Sequence, residues 1–379
     1  MTGIIFDLSR SFSRLDRGTP TGIDRVEWSL FTALSKLGPV EGLIRSGGRH
    51  WTGPADSISP AVGQHNITDL TARLQPWRDI TRRRAESSIR TALGRGSRSL
   101  PRGTQQGKWL ICVGHSLPPH HIVARWKRDG GRLAVLVHDL IPLDHPEWSR
   151  PAPAKRFAKT MQVTAAHADL ILHLTQVGQD RWISRYGTRP DQTNALFPMG
   201  ATELPSFPRQ PSKRPNMLMI GTIEPRKGHK TILDIWDDFA HRADLTIIGT
   251  RGWNSRTLFE HLNSQPAAVH EINNASDADI AQRIATAHSL LFPSKAEGYG
   301  LPVMEARVRG LPVIASNLSE LRELHGDSIE YVMTHDITDW RLAISKALNE
   351  HRSTSEQEPV LWDSWTHSAK VLKAQIALQ

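Results

Sequence analysis

Near-continuous apolar runs recur along the chain with helical patterns between them, and this alternation most strongly limits the folds open to it. In the first half the runs are residues 4–7, 109–113, 133–137 and 170–174. Helical patterns separate them, for example at residues 23–36 and 155–167. Runs that are apolar at successive positions are typical of parallel strands buried on both faces. The βαβ rhythm therefore predicts an α/β fold with parallel sheets.

The rhythm stops at a proline-rich, polar stretch and then restarts. Residues 203–215 have the composition of a linker. The later apolar runs are residues 217–220, 245–248, 289–292 and 312–315. We expect two similar domains, 1–202 and 216–360, separated by a cleft, and a C-terminal helix within 361–379. In doubly wound sheets, ligands bind beyond the carboxyl ends of the strands.

Composition narrows the class of protein. The 379 residues suffice for two full cores, and Cys112 is the single cysteine, so neither an intrachain disulfide nor a cysteine zinc cluster is expected. No apolar run reaches the length that spans a bilayer, and the start of the chain is too soon acidic for a signal peptide. These features predict a cytoplasmic protein.

The formal net charge of +9 predicts an anionic partner. Nine arginines lie within residues 73–102, among them Arg82, Arg83 and Arg84, with apolar residues interleaved. This segment has two interpretations: a basic amphipathic helix on an anionic membrane, or a solvated helix and loop. A nucleic-acid partner is less favoured because the sequence contains no recognised binding module.

Two glutamates bracket a glycine-rich turn near the C-terminal end. Glu297 precedes Gly298, Tyr299, Gly300 and Leu301, and Glu305 follows about one turn into the expected helix. Strand, glycine turn and helix N-terminus together form a cradle of backbone N–H groups suited to phosphate oxygens. Because a carboxylate and a phosphate repel each other, we expect Glu305 to bind a neutral group such as a sugar or ribose hydroxyl. The segment therefore suits a nucleotide-sugar. The alternative is a βα turn with two solvated glutamates.

A second turn carries cations. Gly221 follows the run at 217–220, and Arg226 and Lys227 come just before a helical pattern. Arginine offers a fork for phosphate oxygens and lysine a point charge, which predicts a diphosphate site. The alternative is an exposed basic turn.

Two segments of the first half are further candidates. His138 and Asp139 follow the run at 133–137, where the histidine could bind a sugar hydroxyl or hold a proton near neutral pH. Asp139 would orient the ring or cap the next turn. Gly22 would allow close approach of a ligand, and Arg25 would face the acceptor or the donor. The alternatives are a structural His–Asp pair and an ordinary helix cap.

The pair Asp277 and Asp279 resembles a metal-binding D-x-D pattern. It follows Ser276 and opens a helical pattern, so N-capping explains it, and we expect no metal site there. We find no H-E-x-x-H motif and no G-x-S-x-G elbow.

Five segments in the expected order resemble the retaining GT-B glycosyltransferases of family 4 (GT4, glycosyl transferases group 1). They are residues 20–26, 137–143, 168–172, 221–227 and the E-x7-E signature at 297–305. Residues 45–105 are unmatched. Asn273 and Asn274 stand where the family often has glycine, and because asparagine tolerates the left-handed region we expect the turn to persist.

The resemblance implies two Rossmann-like doubly wound domains facing across a cleft, with no cofactor and no metal required. It implies that Arg226 and Lys227 hold the diphosphate of the donor, Glu305 the ribose and Glu297 the donor sugar. It also implies that His138 touches the sugar near the reaction centre and that the loop at Gly22 approaches the phosphates.

We therefore predict a retaining, metal-independent hexosyltransferase that moves a sugar from a nucleotide-diphospho-sugar to a glycan acceptor. We expect this acceptor to be a lipid-linked intermediate of bacterial polysaccharide assembly. It would act in the cytoplasm, at the inner membrane if the arginine-rich segment binds lipid. The alternatives are a GT-B nucleotide-sugar epimerase or hydrolase, a non-catalytic nucleotide-sugar or glycan-binding module, and a basic nucleic-acid-binding protein.

Overall fold

The computed structural model describes residues 3–13, 22–62, 90, 93–94, 96–97, 100–101, 103–201, 204–253, 255–333, 336–349 and 360–379. The chain divides into two compact units. Unit 1 comprises Met1–Gly200 and Asp363–Gln379, and unit 2 comprises Ala201–Trp362. Each unit is an α/β structure built on its own sheet.

Unit 1 contains a seven-stranded sheet in the order β3-β2-β1-β4-β5-β6-β7. The strands are β1 (Gly3–Asp7), β2 (Glu41–Ser46), β3 (Arg49–Pro54), β4 (Lys108–Cys112), β5 (Arg132–Val137), β6 (Leu170–His173) and β7 (Thr193–Leu196). All neighbours pair in parallel except β2 and β3, which form an antiparallel edge.

The helices of unit 1 connect and cover these strands. They are α1 (Ser9–Ser13), α2 (Gly22–Lys36), α3 (Ala55–Val62), α4 (His120–Arg128), α5 (Ile141–Asp144), α6 (Pro151–His167), α7 (Gln176–Tyr186) and, from the end of the chain, α14 (Trp365–Ala377).

The apolar runs of unit 1 form strands because both faces of the sheet are covered. Successive residues of β1 alternate: Ile5 belongs to the core cluster beneath one face, while Phe6 lies 5.6 Å, ring to ring, from Phe31 of α2. The central strands β1, β4, β5 and β6 are buried at nearly every position, so none of these four strands offers a polar face to solvent.

Unit 2 contains a six-stranded, wholly parallel sheet in the order β10-β9-β8-β11-β12-β13. The strands are β8 (Asn216–Ile220), β9 (Asp244–Ile248), β10 (Val269–Ile272), β11 (Ser289–Phe292), β12 (Val313–Ser316) and β13 (Glu330–Val332). The helices are α8 (His229–Leu233), α9 (Arg256–Asn263), α10 (Asp277–Thr286), α11 (Leu301–Arg307), α12 (Ser319–His325) and α13 (Ile337–Asn349).

Two separate apolar layers sandwich the sheet of unit 2. Met217 and Met219 of β8 enter one cluster, whereas Leu218 between them enters the other. The period of two in an apolar run assigns alternate side chains to opposite layers. The predicted fold class, two parallel Rossmann-like α/β sheets, is confirmed.

The proline-rich stretch is attached to unit 2. Residues 204–215 have no regular structure, and backbone amides of Gln210 and Ser212 donate to the carbonyls of Ala285 and Thr286. Arg209 adds two side-chain bonds to carbonyls at the end of α10. Backbone polar groups of this stretch therefore find partners on the unit that follows it.

The last helix belongs to unit 1, although unit 2 precedes it in the chain. α14 packs against α2 through a buried stripe of Trp365, Ala369, Leu372 and Ile376. Lys373 Nζ donates to the carbonyl of Leu37 just beyond α2, over 2.9 Å. Among the helices in the described ranges, none has the length and apolar character needed to cross a bilayer.

Candidate functional site

The order of strands in unit 2 places two turns side by side. β8 lies between β9 and β11, and the chain runs outward from it in one direction to β10 and later in the other to β13. The turns after β8 and β11 therefore meet at the point where strand order reverses, which is where doubly wound sheets bind ligands.

The two turns touch through their backbones at Gly228. This residue has φ +70°, and a side chain there would place its Cβ 2.0 Å from the carbonyl oxygen of Pro293. The amide of Lys295 donates to the carbonyl of Arg226 over 2.8 Å. Only glycine satisfies both the left-handed conformation and this approach.

A cluster of charges connects the same two turns. Glu297 Oε1 lies 2.6 Å from Lys227 Nζ and 3.2 Å from Arg226 Nη1. Arg226 Nη2 also lies 2.9 Å from Glu224 Oε1. The sequence placed the two cations and Glu297 in separate motifs, and the structure brings them together as one ion cluster.

Burial and charge oppose each other in this cluster. Burial lowers the pKa of Lys227, and the carboxylate of Glu297 partly offsets that effect. Burial alone would raise the pKa of Glu297, but the adjacent Lys227 and Arg226 hold it below its usual value. Glu297 is therefore ionised at neutral pH although it is only 8 % exposed.

The glycine turn after Glu297 begins α11. Gly300 is the N-cap residue with φ +81°, and Leu301 starts the helix. Glu305 follows on this helix and is 5 % exposed. Gly221 lies at the other turn, where a Cβ would fall 3.6 Å from Lys227 Cε. All the donor-binding candidates except Gly22 thus lie in these two turns and α11, while their roles toward a ligand stay predictions.

The turn after β10 adopts the conformation expected for its asparagines. Asn274 has φ +58°, in the left-handed region that the family usually fills with glycine. The predicted persistence of this turn is confirmed.

His138 lies in unit 1, directly after β5. Its Nε2 is 2.7 Å from the carbonyl oxygen of Val113, so that nitrogen carries the hydrogen. Burial, and then the neighbouring His115, lower the pKa of His138 to about 3. The ring is neutral at physiological pH, which leaves hydrogen bonding rather than proton storage as its role.

His115 was not among the candidates from the sequence. Its Nε2 accepts the backbone N–H of His138 over 2.8 Å, and the two rings meet edge to face at 4.8 Å. It has φ +53°, which is strained for a residue other than glycine. Burial lowers its pKa to about 3 as well. No sequence motif identifies His115. It contacts His138 because β4 and β5, the strands that precede the two residues, are neighbours in the sheet.

Of the two roles considered for Asp139, capping is the one observed: Oδ1 accepts the amide of Ile141 over 3.1 Å. Gly22 is the first residue of α2, and Arg25 lies in its first turn. Residues 14–21 and the arginines Arg82, Arg83 and Arg84 lie outside the described residues. The phosphate contact at Gly22 and the membrane role of these arginines stay predictions.

Glu27 is a second residue that the sequence did not single out. It lies on the buried stripe of α2 with Leu30 and Leu34, and its Oε1 accepts the amide of Ser11 over 2.8 Å. Burial, reinforced by Asp7, raises its pKa to about 8. Its position on an apolar helical stripe was the available signal.

The aspartates of the D-x-D pattern cap a helix, as predicted. Ser276 Oγ accepts the amide of Asp279, whose carboxylate accepts the amide of Ser276, forming a capping box at the start of α10. Within the described ranges, no group of three or more histidine, cysteine, aspartate or glutamate side chains is placed to hold a metal ion.

Comparison with known proteins gives a family and a fold. Residues 201–358 match the family model described as glycosyl transferases group 1. The serotype-specific mannosyltransferase WbdA of Escherichia coli is 31 % identical over 270 residues, covering 64 % of this chain and 33 % of that protein. The O-antigen chain mannosyltransferase B of Escherichia coli is 25 % identical over 258 residues, covering 63 % and 64 %.

A solved structure extends the likeness to the whole chain. Anabaena Alr3699/HepE in complex with UDP and glucose covers 100 % of both chains with a TM-score of 0.64 at 12 % identity. At that identity the likeness concerns the fold alone. The chain spans about a third of the length of the WbdA proteins it matches.

The backbone contact at Gly228 yields a test of how the two turns are joined. Gly228→Ala should lower the melting temperature and disorder the turns, because its Cβ collides with Pro293. Gly48→Ala is the matched control, since Gly48 has φ +72° with open space around it. Thermal unfolding of both variants should show the larger loss at Gly228. Equal losses would mean that backbone conformation, not the contact, makes glycine necessary.

The raised pKa of Glu27 predicts a stability change with pH. Between the unfolded pKa of 4.5 and about 8, the folded state retains a proton that the unfolded state has lost, so stability falls as pH rises through that range. The Glu27→Gln variant has no carboxyl group at this position, so its stability should not fall for this reason as the pH rises. Its melting temperature should exceed that of the wild type by a few degrees at pH 8 and by much less at pH 5, with the exposed Glu41→Gln as control. A difference independent of pH would contradict the assignment.

Proposed function

We propose that this chain, in which residues 201–358 match the family model of the group 1 glycosyl transferases, transfers a sugar from a nucleotide-diphospho-sugar to a glycan acceptor in bacterial surface polysaccharide assembly. The observation that carries the proposal is the Arg226–Glu297–Lys227 cluster where strand order reverses in unit 2. The two cations there are partly buried, and both lie within 3.2 Å of the same carboxylate oxygen.

The cluster explains why cations and a carboxylate occur together in a donor site. The diphosphate of the donor replaces Glu297 as the partner of Arg226 and Lys227. Charge-assisted hydrogen bonds to phosphate are strong, and arginine can bind a phosphate group through two nitrogens. Glu297 is thereby released to accept hydroxyl hydrogens of the transferred sugar. In the structure, the same carboxylate offsets the cost of partly desolvating the two cations.

The donor that we propose to test first carries mannose. The relatives with 31 % and 25 % identity are both named as mannosyltransferases, and the second is named for O-antigen chains. The structural neighbour was solved with UDP and glucose. A nucleotide-diphospho-mannose is therefore the first choice, and a nucleotide-diphospho-glucose is the comparison.

We propose that the reaction proceeds with retention and without a metal. Attack on the same face as the leaving group lets a phosphate oxygen of the departing diphosphate take the acceptor proton. Arg226 and Lys227 then stabilise the charge that develops on that diphosphate, and the bound geometry supplies orientation. Neutral His138 contributes a hydrogen bond to the donor sugar and does not act as a base.

If the diphosphate replaces Glu297 as the partner of the two cations, removing the Glu297 charge should affect catalysis and ligand binding in opposite directions. Glu297→Gln should reduce kcat by at least tenfold, because the sugar loses a charged acceptor. The same variant should bind the nucleoside diphosphate as tightly as the wild type or more tightly, since the ligand no longer competes for Lys227 and Arg226. Calorimetry and initial rates measure the two effects.

Glu305→Gln is the matched control, with an expected rise in donor KM and a smaller change in kcat. If Glu297→Gln weakened binding of the nucleoside diphosphate and left kcat unchanged, the proposed roles of the two turns would be wrong.

The proposed chemistry also predicts the product. An α-configured donor should give an α-linked product, identified by NMR of the anomeric proton, and turnover should continue in excess chelator. A β-linked product would exclude same-face attack, and loss of activity that added magnesium restores would show a metal requirement. Turnover of donor without acceptor would indicate a hydrolase or epimerase, and donor binding without turnover a binding module.

A further inference from the structure

The turn between Glu297 and α11 carries a single side chain, that of Tyr299. Tyr299 stands between Gly298 and Gly300, which have no side chains, and Gly300 has φ +81°. Glycine retains more backbone freedom than other residues, so ordering such a turn costs more entropy. Tyr299 is 7 % exposed and supplies the side-chain anchor of the turn.

The hydroxyl of Tyr299 is held by a residue 63 positions later in the chain. Trp362 Nε1–H donates to it over 2.9 Å, and the two rings are perpendicular with centroids 6.2 Å apart. The Trp362 ring in turn lies 5.5 Å from that of His325 in α12. Nearby, the amide of Val360 donates to the carbonyl of Arg307 at the end of α11.

We propose that Trp362 is a positioning residue for the donor turn: its indole N–H fixes Tyr299 and thereby orders the backbone from Glu297 to Leu301. The inference rests on the proposed function only in taking this turn as the donor site. Trp362 need not touch the substrate, because it acts through Tyr299. A preordered turn binds a ligand more tightly, since less entropy remains to be lost on binding.

Trp362 lies at the boundary between the two units in the sequence. Trp362 is the last residue of unit 2, and Asp363 begins the segment of unit 1 that continues into α14. The residue that holds the donor turn is therefore bonded directly to the part of the chain that packs on α2.

The test compares Trp362→Phe and Tyr299→Phe, which each keep an aromatic ring and remove one side of the hydrogen bond, with the double variant. The control is Tyr331→Phe, which removes the tyrosine hydrogen bond to the Leu321 carbonyl in the same unit. Amide hydrogen exchange is followed in peptides covering residues 293–305, and donor KM and kcat are measured with the nucleotide-diphospho-mannose.

Each single variant should exchange faster in the donor turn and raise donor KM about fivefold, equivalent to about 1 kcal/mol for one neutral hydrogen bond. kcat should change less. The double variant should resemble either single variant, because the same bond is lost. Tyr331→Phe should change exchange near β13 and leave donor KM unchanged.

The proposal is overturned if the two single variants leave exchange at residues 293–305 unchanged, or if their effects add in the double variant. It is also overturned if Tyr331→Phe raises donor KM equally. If the wild type binds no nucleotide-sugar, the proposed function fails. In that case the exchange measurements still decide whether Trp362 orders the turn.

Discussion

The carboxylate of Glu297 is shared between Lys227 and Arg226, and this sharing holds together the two turns in which we propose the donor site. Burying three charges is costly, and their mutual attraction repays the cost only when the geometry is good. The backbone contact at Gly228 supplies that geometry by fixing the distance between the turns. The cations are thus oriented in advance, as electrostatic stabilisation of a leaving group requires.

Unit 1 contains buried ionisable side chains that are neutral at physiological pH. Its site histidines, His115 and His138, are neutral because burial lowers their pKa to about 3. Glu27 retains its proton because burial raises its pKa to about 8. Unit 1 also contains an ion pair, Arg45 with Asp7 at 2.7 Å, so both units pair some of their charges.

The strands that could be predicted from the sequence are those with both faces buried. Their apolar runs can be recognised without knowing which side chains contact them in the fold. β2 escaped prediction because it carries Arg45, which is tolerated there through Asp7, 2.7 Å away in space and 38 residues away in the chain. The site shows the same limit. Motifs located Glu297 and Lys227, but their pairing follows from the adjacency of β8 and β11, and the bond between Trp362 and Tyr299 has no local signal.

Because α14 completes unit 1 from the far end of the chain, unit 2 is inserted within unit 1. During translation the whole of unit 2 leaves the ribosome before α14 does, so unit 2 can reach its native state first. Until then, the face of α2 against which α14 packs lacks that native partner. At about 5–20 residues per second, nascent unit 1 therefore lacks α14 for about 10–30 s, while the roughly 160 residues of unit 2 are synthesised.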